Sequence, residues 1–396
     1  MKHWLVFIAL ATTILSASRG APAELLGETH WFLNSRGQDS AYGISEFFDS
    51  GLPVRLPRVV TVRDAPKGTR HVAWPTAIRH DGGTYLFASL RRGRRWDGVG
   101  LWTRRGDGDF QFQDVVLTAN EDEPNGVGPA HVAYDPAAPA PFLMYYLVRG
   151  RRGPGFRVAL ATSRDGRRWT RRGSVMQADA ESERAGFAPS YLCRDRAGRY
   201  LLFYMAYPDE DLSKGVAMLA RSDDPAGPFA IKQVIYRNDD LRVAITGGGA
   251  RGTAVLRVES TTGLQVGHPY VIAKANSPTP EIVVIRQIRD RLVFLAYPLV
   301  HDQGQSTVFS PYANKVDPSF VWRDGDTWRG VFTVFGHAPG VGSEYTFVMR
   351  APAVVGPWVP EKQPYYPYFL NALPNHRLST ENPIPLRDDL GCAIGG

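Results

Sequence analysis

An apolar strand, a tight turn and a second apolar strand recur along the chain at a spacing of about fifty residues, which predicts a β-propeller. A third and a fourth strand follow most of these hairpins, so that each repeat holds four antiparallel strands. Forty glycines and thirty prolines among 396 residues agree with many short strands and turns. The predicted fold class is all-β, a five-bladed propeller closed by the N- and C-terminal strands.

The first strand of each repeat carries a proline near its start. Four copies are Trp74-Pro75-Thr76, Gly128-Pro129-Ala130, Ala188-Pro189-Ser190 and Asp317-Pro318-Ser319. Each leads through a turn, such as Asp324-Gly325, into a second apolar strand. These strands are predicted to be the inner strands of four blades.

The two ends of the chain supply the fifth blade. Asn382-Pro383-Ile384 begins another inner strand, but no hairpin partner follows it before the sequence ends. Strands at residues 30–33, 41–45 and 54–62 provide the three that are missing. We therefore expect the C-terminal strand to pair with the N-terminal strands and to close the ring.

Residues 240–312 depart from the blade pattern. They contain short strands between Gly and Pro turns, and we interpret them as a small inserted β-domain, a packing or oligomerisation module. The predicted division is a signal peptide at 1–23, a first propeller part at 24–239, the insert at 240–312 and a second propeller part at 313–396.

The N-terminus predicts export. A basic start, Met1-Lys2-His3, precedes an apolar run from Trp4 to Leu15 and small-residue cleavage sites, so the protein is expected to be secreted or periplasmic, with an uncleaved anchor as the alternative. Removing two basic residues with residues 1–23 lowers the formal charge from +7 to +5 (7 − 2 = 5). A basic mature chain favours anionic partners.

The cysteines and the absence of several known motifs restrict the kinds of site that the sequence predicts. An exported protein can pair Cys193 with Cys392, or Cys193 is simply a small buried residue in its strand. The sequence has no phosphate-binding glycine loop, no zinc-ligand spacing and no nucleophile elbow. We predict no metal, no cofactor and no nucleic-acid partner.

The blade pattern resembles a known superfamily. Asp-Pro-Ser opening an inner strand and Ala161-Thr-Ser-Arg-Asp-Gly-Arg-Arg-Trp169 closing a third strand are similar to the five-bladed glycoside hydrolases, namely the arabinanases, xylosidases, invertases and levansucrases. The resemblance implies hydrolysis of a glycan by inner-strand carboxylates around a central funnel. Glycosidic cleavage needs one carboxyl group as acid and another as base or nucleophile.

Three carboxylates are the catalytic candidates: Asp317, Glu381 and Glu123. Asp317 alone matches the family motif residue for residue, and it could instead cap the turn beside its proline. Glu381 stands two residues before Pro383, and Glu123 precedes the second inner strand. For Glu123, and for Glu183 before the third inner strand, a solvated loop acid is the competing interpretation.

Substrate contacts are predicted on the face where the inner strands begin, because the loops between second and third strands reach the same face. On this face we expect aromatic rings to stack on sugars, histidines to form hydrogen bonds with sugar hydroxyl groups, and arginines to bind acidic substituents. The competing interpretation is that each of these side chains packs in the core or lies in solvent. The candidates are Trp74, His131, Phe187, Trp96, Arg94, Arg95, Arg151 and His337.

The resulting hypothesis is a secreted glycoside hydrolase acting on a neutral or acidic polysaccharide. Trp74, Gly128 and Ala188 stand where the family motif would place further carboxylates. A non-catalytic glycan-binding or cell-surface adhesion propeller is therefore the alternative, and a phosphorylase or lyase on the same scaffold is a third possibility.

Overall fold

The computed structural model describes residues 24–33, 41–48, 58–61, 64–92, 95–106, 108–149, 157–178, 181–184, 186–208, 215–237, 242–264, 266, 269–274, 281–303, 307–311, 315–338, 341–360 and 376–387. At the chain ends and at some other strand positions, among them 333–338 and 341–348, it describes the backbone alone. These residues form strands and a 3-10 turn at Glu181–Glu183, with no α-helix among them. The predicted all-β class is confirmed. No helix within the described ranges is long and apolar enough to cross a membrane.

The strands of the first part are, in chain order, β1 (Glu24–Leu33), β2 (Ala41–Phe48), β3 (Arg58–Thr61), β4 (Thr69–His80), β5 (Gly83–Arg92), β6 (Arg95–Arg105), β7 (Gln111–Thr118), β8 (Val127–Tyr134), β9 (Phe142–Val148), β10 (Arg157–Ser163), β11 (Thr170–Gln177), β12 (Gly186–Arg194), β13 (Tyr200–Tyr207), β14 (Val216–Ser222) and β15 (Ile231–Tyr236). The remaining strands are β16 (Val243–Gly247), β17 (Val255–Val258), β18 (Pro269–Lys274), β19 (Glu281–Arg289), β20 (Leu292–Leu295), β21 (Thr307–Pro311), β22 (Lys315–Asp324), β23 (Thr327–Ala338), β24 (Val341–Ala351), β25 (Val359–Pro360) and β26 (His376–Arg387).

Antiparallel pairing joins the strands in groups of four. The first three groups are β4–β7, β8–β11 and β12–β15, and the fourth is β22–β25. The last group combines both ends of the chain, because β26 pairs with β1 from Pro385 opposite Leu25 to His376 opposite Leu33, and β2 and β3 follow. The predicted pairing of the chain ends is therefore present.

Burial falls from the first strand of a group to the last. In the second group, nearly every residue of β8 and β9 is buried, whereas β11 exposes five of its eight residues in succession. The buried side chains form one apolar cluster between the first and second groups, another between the second and third, and another between the third and fourth. Strands covered on both faces are apolar on both faces, which explains the continuous apolar runs in the sequence.

Each inner strand is interrupted by a β-bulge at its proline. The register shifts at Pro75, Pro129 and Pro383, and directly after Pro189 and Pro318. Proline has no N–H for the ladder, so a bulge is one of the places in a sheet that accepts it. A bulge also re-aims the neighbouring side chains. The repeated proline therefore marks a local change of side-chain direction near the start of each inner strand.

The strands between Val243 and Pro311 form a closed barrel in the order β16-β17-β20-β19-β18-β21. Its interior is a separate apolar cluster that includes Leu256, Ile272 and Val293. The barrel lies within the range predicted for the insert, and the domain boundaries themselves stay a prediction. Barrel closure gives each of its strands two neighbours and leaves no free edge.

Cys193 lies in β12 and is disulfide-bonded. It is fully buried, so the alternative of a free buried thiol is replaced by a disulfide. Cys392 is the only other cysteine in the sequence and lies outside the described residues.

Candidate functional site

The candidate site is built on the ends of the inner strands where the chain enters them. Asp317 is two residues inside β22 and directly precedes Pro318, after which the register shifts, and only 3% of its surface is exposed. On the neighbouring inner strand β26, Glu381 pairs with Glu28 of β1. The side chain of Glu381 lies outside the described residues. β22 and β26 are in contact, so the two acidic positions belong to adjacent inner strands.

A row of rings crosses three successive inner strands. His131, Tyr191 and Phe320 each stand two residues after the proline of their strand. The ring centroids of His131 and Tyr191 are 5.4 Å apart, and those of Tyr191 and Phe320 are 6.2 Å apart. Each residue is at most 5% exposed. This packing favours the core interpretation of His131. Tyr191 and Phe320 were not among the predicted residues, although their equal spacing from the prolines is a sequence signal that could have located them.

Aromatic and basic side chains gather at the entry to the first group. Trp74 is half-buried and has a φ of 49°, in the region where non-glycine residues are uncommon. Its ring centroid lies 4.3 Å from that of Trp96, edge on. The ring centroid of His71 lies 5.1 Å from that of Trp96, and the guanidinium of Arg91 lies 6.0 Å from the Trp96 ring. Trp74 and Trp96, both predicted, are therefore in direct contact.

The arginine-rich segment around Trp96 is a β-hairpin and not the predicted loop. β5 extends to Arg92 and β6 begins at Arg95, and these two residues face each other in the ladder. Arg92 forms an ion pair with Asp97 at 3.0 Å, and Arg95 donates a hydrogen bond to the Pro124 carbonyl at 2.7 Å. The ladder continues because Trp96 turns inward while the long arginine side chains extend into solvent.

Arg149 adds a second positive charge beside Arg91. Burial lowers the pKa of the Arg149 guanidinium, Tyr207 opposes this effect, and the charge of Arg91 lowers the pKa as well. The Nε atom of Arg149 is buried and has no hydrogen-bond partner among the described residues. Two neighbouring guanidinium groups disfavour each other's charge, and an anion bound between them would relieve that repulsion.

Glu123 and Glu183 occupy equivalent places, and both are buried rather than solvated. Each stands six residues before the proline of the following inner strand, since 129 − 123 = 6 and 189 − 183 = 6. Only 3% of Glu123 and none of Glu183 is exposed.

Each of these acids is bound by a tyrosine and a cation. Glu123 accepts a hydrogen bond from the Tyr146 hydroxyl at 2.8 Å and pairs with Arg171 at 3.1 Å. Glu183 accepts one from Tyr204 at 2.5 Å and pairs with Lys232 at 2.9 Å. The tyrosines lie on the second strands and the cations on the fourth strands of their groups. The arrangement ties strands together, and the catalytic role of Glu123 stays a prediction.

Of the remaining predicted residues, one is buried in the core and the others lie outside the part of the structure that is described. Phe187 has no exposed surface and packs against Tyr204 and Lys232, so it belongs to the core and cannot stack on a sugar. Arg94, Arg151 and the side chain of His337 lie outside the described residues. Within the described part of the chain, no three His, Cys, Asp or Glu side chains are arranged to hold a metal ion.

The solved structures to which this chain is similar include glycoside hydrolases. No family model and no curated protein sequence matches the chain. Among solved structures, a thermostable family-43 glycoside hydrolase is 11% identical, with 73% of this chain and 72% of that chain covered and a TM-score of 0.42.

Two individual structures illustrate this similarity. The endo-arabinase of Bacteroides thetaiotaomicron is 9% identical over 80% of this chain and 95% of its own, with a TM-score of 0.46. The α-L-arabinanase of Cellvibrio cellulosa in complex with arabinohexaose is 13% identical over 74% of each chain, with a TM-score of 0.43. At these identities and TM-scores the similarity carries no argument about activity, which rests on the residues themselves.

Proposed function

We propose that the five strand groups are the blades of a closed propeller and that the protein hydrolyses glycosidic bonds where the inner strands begin. Contacts between inner strands support the ring. β4 contacts β8, β8 contacts β12, β12 contacts β22 and β22 contacts β26. β26 in turn pairs in parallel with β4, with Leu386 opposite Ala77. This succession returns to the strand on which it began.

The observation that carries the proposal is the buried carboxylate of Asp317 at the bulged start of an inner strand. Burying a carboxylate costs free energy unless the group is hydrogen-bonded or paired, so an apolar residue would serve packing alone better at this position. Glu381 on the adjacent inner strand is the proposed second carboxyl group. Together they supply the acid and the base or nucleophile of glycoside hydrolysis, and their separation decides between inversion and retention.

The proposed substrate is a polysaccharide with acidic substituents. Trp74 offers a partly exposed ring for the apolar face of a sugar. Arg91 and Arg149 offer two positive charges that influence each other, and guanidinium groups bind carboxylate and sulfate. Export to an oxidising compartment is part of the proposal, supported by the N-terminal apolar run and by the disulfide at Cys193.

The test is release of reducing sugar from a panel that includes arabinan, xylan and polygalacturonate. Asp317→Asn is expected to abolish release while binding persists, because the amide keeps the shape but cannot exchange a proton. Asp109→Asn, at an exposed turn, is the matched control and keeps full activity. Wild-type protein that binds a glycan and releases nothing from any member of the panel would establish the binding propeller instead. That alternative is favoured by Trp74, Gly128 and Ala188, which replace carboxylates at the equivalent positions.

A further inference from the structure

A groove lies on the face opposite to the strand starts. Its volume is about 690 Å³, within the range of small-molecule and oligosaccharide sites, and it is enclosed by the turns of the second, third and fourth groups. Pro352, Ala353 and Val354 contribute exposed or half-buried apolar surface to its lining, whereas Leu201 and Trp328 are buried. This lining suits the C–H face of a sugar ring.

Basic side chains surround the apolar surface. The arginines of the lining are Arg194, Arg196, Arg199, Arg221 and Arg323, and the acids are Asp135, Asp195 and Asp326. Five positive and three negative charges leave a net charge of +2, since 5 − 3 = 2. Four of these arginines belong to the third strand group and Arg323 belongs to the fourth, so both groups contribute positive charge to the groove.

Arg194 is held in place by a buried acid. Asp135 is 3% exposed, and its Oδ2 accepts a hydrogen bond from the Tyr200 hydroxyl at 2.9 Å and from Arg194 Nη1 at 3.2 Å. Its Oδ1 accepts one from the backbone N–H of Ala137 at 3.0 Å. A guanidinium group has five N–H donors, so one that is fixed on its buried side still has donors for a ligand. Such pre-organisation lowers the entropy lost on binding.

The positive excess comes from two arginines that have no ion-pair partner within the described part of the chain. Arg221 is half-buried at the end of β14, and Arg196 is exposed in the turn between β12 and β13. Arg199 and Arg323, by contrast, pair with Asp195 at 2.8 Å and with Asp326 at 3.5 Å. Guanidinium groups bind carboxylates through two parallel hydrogen bonds.

We propose that this groove is a second carbohydrate-binding site that takes an acidic oligosaccharide with a carboxylate on successive sugar units. Separated arginines match repeated carboxylates, and the apolar lining matches the rings between them. The groove lies across the molecule from Asp317, so occupation of one site leaves the other accessible. A site of this kind would hold an acidic polymer against the protein independently of hydrolysis.

Calorimetric titration of the full chain with an octamer of galacturonic acid tests the proposal. The double variant Arg196→Ala/Arg221→Ala is expected to weaken one class of binding sites at least tenfold. The matched control is Arg164→Ala/Arg168→Ala, which removes the same charge from an exposed turn on the same face, and it should bind as wild type. Asp317→Asn is expected to leave binding in the groove unchanged, which separates this proposal from the proposed hydrolysis.

Three results would overturn the proposal. The first is a groove variant that binds the octamer as tightly as wild type while melting at the same temperature. The second is a neutral arabinan octamer that binds the groove equally well. The third is inorganic phosphate that saturates the same arginines as tightly as the octamer, which would indicate a small-anion site. Binding of the octamer that is lost in the groove variant and kept in the control would support it.

Discussion

Replacing Lys232 by methionine would leave the Glu183 carboxylate in the core without its cation. The ammonium group lies 2.9 Å from the carboxylate, and the side chains are 6% and 0% exposed. Removing one partner of a buried ion pair costs about 3–5 kcal/mol, because the remaining charge is uncompensated. Methionine fills nearly the same volume, so the loss reports on charge rather than on a cavity.

The equivalent change in the second group should cost less. Arg171 is 36% exposed, so water reaches its carboxylate partner Glu123 when the guanidinium group is removed. We expect Arg171→Met to cost about 1–2 kcal/mol, since solvent screens charges near the surface. The double variant Glu183→Gln/Lys232→Met should recover most of the stability lost by Lys232→Met, because it leaves no buried charge.

Equilibrium unfolding in urea, followed by tryptophan fluorescence and far-ultraviolet circular dichroism, measures these differences. The expected order of stability is wild type, Arg171→Met, then Lys232→Met, with the double variant above the Lys232 single variant. A cost below about 1 kcal/mol for Lys232→Met, or a double variant no more stable than that single variant, would refute the assignment of a buried ion pair.

Three further changes test other contacts. Gly126→Ala places a Cβ 2.1 Å from the Trp96 carbonyl and should cost about 1–3 kcal/mol more than Gly173→Ala, whose Cβ meets nothing, as thermal melts of both will show. Burial raises the pKa of Asp165, but hydrogen bonds from two backbone N–H groups lower it to below the ordinary value. Wild type should therefore be more stable than Asp165→Asn above about pH 4, with the advantage lost as pH falls through the folded pKa, a difference that acid titration of stability measures. Cys392→Ser removes the only other cysteine in the sequence and with it the disulfide of Cys193. This change should lower the free energy of unfolding by about 2–5 kcal/mol, and a reductant should destabilise wild type but not this variant.

Strand positions were predictable because local residues determine them. The apolar run Leu292–Leu295, one of the short strands predicted within the insert, is β20 with the same bounds. Apolar runs between Gly, Pro and Asp-Gly turns specify such strands without reference to the rest of the chain. Even the pairing of the chain ends followed from local patterns, because an incomplete repeat at one end matched the missing strands at the other.

Contacts between distant residues were not predictable in this way. The cation that pairs with Glu123 lies 48 residues further along the chain, and the one that pairs with Glu183 lies 49 residues further. From the sequence alone, a glutamate in a glycine-containing segment is predicted to be solvated, because the strand that carries its partner is distant along the chain. Closure of the barrel escaped prediction for the same reason, since β16 pairs with β21 across more than fifty residues.

The position before each inner-strand proline is set by the fold, and its side chain differs from one strand group to the next. The bulge repeats at Pro75, Pro129, Pro189, Pro318 and Pro383, so the backbone provides five equivalent places, yet they hold Trp74, Gly128, Ala188, Asp317 and Asn382. A feature required only for packing would favour similar side chains at all five. The differences are explained if the scaffold is uniform and one blade supplies a carboxylate, another an aromatic platform and others open space for a ligand. Asp317 is then the residue on which the proposed chemistry depends, and Trp74 is the residue that would align a sugar ring with it.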